Sequence, residues 1–218
     1  MIADRKTVWI AAVASVALAM LIGTTLAPPV QGQTGAAAEC RSGTVPSYDP
    51  ATGKLCTPVG FETWVFVGSN LGLAYKDDLK FTNALEIAHA ETRVFHNIYI
   101  APEAYAQFKA TREFPELTML VMEIFTAADK EPKDVLSKGV YNGERIGLQV
   151  AVKNSNRPGP HSKPWAYYIP QNLNDPTHKL LATSPAFPDD ACESCHKAHA
   201  SMDNVWVQFY PTLRKLVP

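Results

Sequence analysis

The sequence predicts an α+β domain: mainly antiparallel β-sheet with flanking helices, closed by a C-terminal helix bearing a two-cysteine motif. Three observations carry this. Residues 93–100 and 145–153 alternate apolar and polar side chains with the period of half-buried strands. Connections between several strand-like runs are too short or too proline-rich for helical crossovers, so neighbours pair antiparallel. Asp189 and Asp190 precede Cys192-Glu193-Ser194-Cys195-His196, and carboxylates there suit a helix N-terminus.

Taken in order, the chain of 218 residues starts with charged Asp4, Arg5 and Lys6. Residues 8–26 follow without an ionisable side chain, the pattern of a secretory leader. Ala36-Ala37-Ala38 offers a cleavage point, while an uncleaved run of roughly 20 apolar residues also suffices as a membrane anchor. Residues 1–38 are therefore a signal peptide or an N-terminal membrane anchor plus linker, and the protein is expected in the periplasm. Cys40 and Cys56 flank a Gly-, Pro- and Ser-rich stretch, and in an oxidising compartment they pair, making 39–60 a disulfide-stapled loop. Order is expected to begin near Phe61, and 61–218 is long enough for one domain with a real core.

Within that domain, 93–100 puts Val94, His96, Ile98 and Ile100 on one side, and 145–153 does the same with Ile146, Leu148, Val150 and Val152. Residues 63–67, 118–125 and 165–169 are rich in β-branched and aromatic side chains and read as further strands. Pro102 followed by Glu103 to Lys109 reads as a helix with proline in its first turn. A formal net charge of -1 with no basic stripe argues against nucleic acid as a partner.

Cys-x-x-Cys-His is the attachment signature of a c-type haem. Cys192 and Cys195 form thioethers to the two vinyl groups of one covalent haem, and His196 is its proximal iron ligand. A thioredoxin-like dithiol needs no histidine and sits early, after a strand; a structural zinc site needs a fourth ligand, and only His199 is near. Met202 is the one methionine after the motif, and it stands too close to reach the opposite haem face without a sharp reversal. The sixth position is then open or water-filled, which favours ligand binding or chemistry over simple electron transfer. Strand alternation and abundant proline speak against a four-helix cytochrome.

The chain resembles the cytochrome P-460 family, which includes the β-sheet cytochromes c′. The resemblance runs over most of 61–218. It is carried by Trp64-Val65-Phe66-Val67-Gly68-Ser69, Phe95-His96-Asn97-Ile98-Tyr99-Ile100, Pro102-Glu103-Ala104-Tyr105 and Phe108-Lys109. It continues through Phe114-Pro115-Glu116, Gly147-Leu148-Gln149-Val150-Ala151-Val152-Lys153, Trp165-Ala166-Tyr167-Tyr168 and Asp203-Asn204-Val205-Trp206-Val207-Gln208-Phe209-Tyr210-Pro211. It implies a largely antiparallel fold, a homodimer, and one c-type haem with a proximal histidine. In this family the P-460 enzymes oxidise hydroxylamine with a haem cross-linked to a lysine, whereas the β-sheet cytochromes c′ bind nitric oxide or carbon monoxide. Lys109 lies in the stretch similar to the family's Tyr-x-x-x-Lys-x-Thr and is the candidate cross-linking residue. Members often carry glycines on either side of the Phe-Pro pair; here Arg112 and Leu117 stand there, a departure that predicts a different local turn.

Other polar residues are weighed in the same way. Lys153 ends a strand pattern and reads as solvent-facing or ion-paired. His96 reads as a hydrogen-bonded core histidine, His161 as a surface loop residue, and His199 as exposed beyond the motif; His89 and His178 carry no pattern. Alternation places Glu123 toward solvent, the other reading being a buried carboxylate with a raised pKa. Trp165, Tyr167, Tyr168, Trp206, Phe209 and Tyr210 are core and haem-packing material. Two functions stay open: hydroxylamine oxidation with electrons leaving to a periplasmic acceptor, or nitric oxide or carbon monoxide binding without turnover. Plain electron transfer is the weaker third.

Overall fold

Five strands form one antiparallel meander in chain order, each pairing with its neighbour in sequence. The computed structural model describes residues 40–73, 93–129, 139–189 and 191–218. The leader or anchor expected within 1–38, His89 and Asp190 lie outside the described residues. A two-residue strand β1 (Leu55–Cys56) precedes the sheet strands β2 (Val65–Leu71) and β3 (Val94–Ile100). Helix α1 (Pro102–Thr111) leads to β4 (Met119–Asp129), β5 (Val140–Lys153) and β6 (Trp165–Tyr168). Then come β7 (Thr183–Ser184), α2 (Glu193–His199) and α3 (Pro211–Arg214). The strand expected at 63–67 is displaced, starting at Val65 after the 3-10 turn Phe61–Thr63 and running on to Leu71, and the one expected at 165–169 stops at Tyr168. Among the described residues no helix is long and apolar enough to cross a membrane.

Register shows that both faces of the sheet are covered. Ile98 lies opposite Met122, which lies opposite Gln149, so these three share one face. Tyr99, Val121, Val150 and Tyr168 share the other. Ile98 and Ile100 are buried on the first face, and Val121, Leu148, Val150 and Val152 on the second. The two clean alternations thus point in opposite directions. The C-terminal segment covers the first face, passing so close to Gly68 that a Cβ there would meet Pro211 at 2.8 Å and the Tyr210 backbone at 3.3 Å. Phe61 lies on the second, with its ring 6.1 Å from that of Tyr99.

Pro102 starts α1 where its missing N–H is harmless, and Phe108 drops from the helix into the core. Phe108 stacks on Phe114 at 4.3 Å, and Phe114 meets Trp165 edge-on at 6.1 Å. Each such aromatic pair contributes about 1 kcal/mol beyond its burial. Arg112 and Leu117 bracket this turn at φ 67° and 65°. They hold the left-handed backbone that glycine favours, at a cost in strain to both residues.

Cys40 and Cys56 form the expected disulfide. The loop it closes is part of the core, so the ordered fold takes in 40–60 and does not start near Phe61. Leu55 is fully buried, β1 pairs with β7, and Ser42 Oγ donates to the Cys56 carbonyl at 2.7 Å. Every described residue belongs to one compact unit, 37–218.

Candidate functional site

Cys192 caps the N-terminus of α2, and Cys195 and His196 lie within the helix, so one turn delivers the three side chains together. Neither thiol is in a disulfide. Burial pushes the Cys192 thiol up to about 11, with Cys195 adding to the effect, and burial also raises Cys195. Both are therefore neutral thiols at ordinary pH. A redox dithiol has the opposite character, a thiolate stabilised by its surroundings.

His196 is oriented from several sides. Its Nδ1 lies 2.8 Å from the Asn204 carbonyl, which can only accept, so Nδ1 carries the proton and Nε2 presents its lone pair. The Trp206 indole N–H donates to Nε2 at 3.3 Å. The Tyr167 ring, from β6, packs on the imidazole with centroids 4.4 Å apart. Burial lowers the imidazole pKa; the Asn204 carbonyl and the charge of Glu193 pull the other way. His196 is thus held as the Nδ1–H tautomer, with its Nε2 lone pair accepting from Trp206, and Nε2 is the nitrogen that could serve a metal in place of that hydrogen bond.

The Asn204 carbonyl is itself held by a strained turn. Asp203 and Asn204 sit at φ 41° and 62°. Asp203 Oδ2 accepts from Lys153 Nζ at 2.8 Å and its Oδ1 from Trp165 Nε1 at 3.1 Å. Lys153 also donates to the Phe114 carbonyl at 2.8 Å, which ties the end of β5, the segment after α1 and the histidine's partner turn together. Lys153 is ion-paired, one of the two expectations for it. Asn204 Nδ2 donates to Glu193 Oε1 at 3.1 Å.

Asp189 does not cap α2, contrary to its sequence reading. Its Oδ1 accepts from Arg157 Nη2 at 3.1 Å, and its Oδ2 from the Ser162 N–H and hydroxyl at 2.9 and 2.8 Å. Those Ser162 bonds lower its pKa. A buried guanidinium demands a partner, and Arg157 outcompetes a helix end three residues further on.

Lys109 stands exposed on α1. Its helix reaches the motif region through the Phe108–Phe114–Trp165–Asp203 contacts. Met202 packs against the core. His96 Nδ1 bonds to Asn70 Oδ1 at 2.9 Å, and His199 is exposed. His161 faces the Gly159 and Ser155 carbonyls, and His178 lies in a turn at φ 52°. Glu123 departs from its favoured reading: it is buried, with Arg145 at 3.7 Å. Burial raises its pKa, and Arg145 partly offsets this. Register puts it on the Val121 face, opposite to that of Tyr167, so it does not adjoin His196 across the sheet. Sequence reasoning missed Glu193, Asp203 and Asn204 as partners of the motif; the adjacent Asp-Asn pair, a frequent left-handed turn, was the available signal.

Among the described residues no group of three or more His, Cys, Asp and Glu is placed to hold a metal ion. No curated protein matches the chain. The family model for Cytochrome P460 matches residues 58–207, from just ahead of the sheet to the segment that orients His196. The chain therefore belongs to the Cytochrome P460 family, which implies a haem cofactor.

Proposed function

We propose that this is an exported c-type haem protein that binds small nitrogen-containing ligands and oxidises hydroxylamine. Cys192 and Cys195 hold one haem covalently and His196 is the proximal ligand. The observation that carries the reading is the tautomer of His196: Nδ1–H is committed to the Asn204 carbonyl, so Nε2 is the nitrogen with a lone pair, beside two disulfide-free thiols, and iron there would take the place of the Trp206 hydrogen bond. The donor set fits the group. Haem supplies a ligand-binding iron that accepts and passes on electrons. The chain's own residues orient the imidazole, shield it between Tyr167 and Trp206, and anchor the motif through Asp189.

The substrate is hydroxylamine, the electrons go to an acceptor protein in the periplasm, and the working form is a homodimer. Lys109 is proposed as the residue joined to the porphyrin. Haem that resists acid-acetone extraction supports covalent attachment, and His196→Ala should lose the native spectrum. A red-shifted Soret band that Lys109→Ala returns to an ordinary c-type position supports the cross-link. An ordinary spectrum in wild type favours the second reading, nitric oxide or carbon monoxide binding without turnover, which the solvent exposure of Lys109 also favours.

A further inference from the structure

Glu193 opens a short helix, yet its side chain is buried at 6 % exposure. A buried carboxylate is costly unless it is held by donors. The donor is Asn204 Nδ2, at 3.1 Å. The main-chain carbonyl of the same residue accepts from His196 Nδ1 at 2.8 Å. The left-handed backbone of Asn204 allows this double use, with the side-chain amide given to the carboxylate and the main-chain oxygen to the imidazole. Lys153 and Trp165, through Asp203, keep the turn in that conformation.

We propose that Glu193 is a positioning residue that fixes a negative charge on the proximal side of His196 and thereby holds a haem iron bound there in the ferric state. The inference rests on the haem reading above and deepens it. A carboxylate docked behind the hydrogen-bond partner of a ligating histidine raises the basicity of the ring, and in a partly buried site its field is weakly screened. Both effects favour the higher positive charge on iron. Ferric iron takes up hydroxylamine, a nitrogen base, whereas carbon monoxide requires ferrous iron.

The test is a spectroelectrochemical titration of the haem-loaded full chain as wild type, Glu193→Gln and Glu193→Asp. Glu193→Gln is expected to shift the ferric-to-ferrous ratio at fixed potential at least tenfold toward ferrous, about 59 mV for a one-electron couple. Glu193→Asp keeps the charge and should stay close to wild type. A Glu193→Gln protein with the wild-type potential overturns the inference, and so do equal shifts in both variants. If Glu193→Gln does not fold, Asn204→Gly keeps the turn and carbonyl while releasing the carboxylate; it should move the potential the same way, and no movement overturns the inference. A wild-type chain whose haem is removed by acid-acetone overturns the parent reading, and this inference with it, before any potential is measured.

Discussion

Lys153 Nζ lies 2.8 Å from Asp203 Oδ2, an ion pair that joins the last residue of β5 to the turn presenting the Asn204 carbonyl to His196. Lys153→Met should lower stability by about 1 to 2 kcal/mol, because both ends are partly screened by solvent. Combined with Asp203→Asn, the losses should be less than additive in chemical denaturation. Fully additive losses would show that the pair does not act as a unit.

Glu123 gives a pH dependence whose sign is fixed by burial. Its folded pKa lies above the ordinary carboxylate value, so the folded state holds the proton more tightly than the unfolded chain. Its contribution is full below the unfolded value and is lost as pH rises through the folded one. Glu123→Gln should flatten that decline in urea midpoints measured from pH 4 upward; an unchanged slope assigns it to other groups.

Leu117 holds φ 65° and is 41 % exposed, so a glycine there gives up only part of a leucine's packing. Relief of left-handed strain against the entropy of glycine leaves a net gain of about 0.5 to 1 kcal/mol for Leu117→Gly. The melting temperature should rise by about 2 °C. A fall would mean that the leucine side chain makes a contact worth more than the strain.

Removal of the Cys40–Cys56 bridge by paired serine substitution should cost about 3 kcal/mol by chain entropy. Because Cys56 pairs with Thr183, the damage should reach across the molecule. Hydrogen exchange at Thr183 and Ser184 should accelerate in the variant; unchanged exchange there would separate the bridge from the β1–β7 pair.

The strands of the sheet were legible because Val94, Ile98 and Ile100 on β3 and Leu148, Val150 and Val152 on β5 follow strict alternation. That Cys192, Cys195 and His196 come together on one turn was legible because their spacing places them there. Glu123 was misread for a physical reason: alternation assigns a residue to a face, but it says nothing about whether that face is open to water. Here both faces are covered. Asp189 was misread because a cap is a local inference, whereas Arg157, distant in sequence, decides where that carboxylate goes. Asn204 acts on His196 through a main-chain carbonyl, which side-chain identity does not encode. Tertiary competition and backbone geometry account for these misses.

The pairing of β1 with β7 bears on the order in which the chain assembles. Thr57 Oγ1 donates to the Leu181 carbonyl across 124 residues of sequence, whereas each strand of the meander meets one beside it in the chain. Contacts between near neighbours close small loops and form quickly; a closure of that span pays a larger entropy and comes late. The meander can therefore exist while the segment running into α2 is still undocked. During that interval Cys192 and Cys195 remain reachable from outside, the accessibility that the covalent haem attachment proposed above would require.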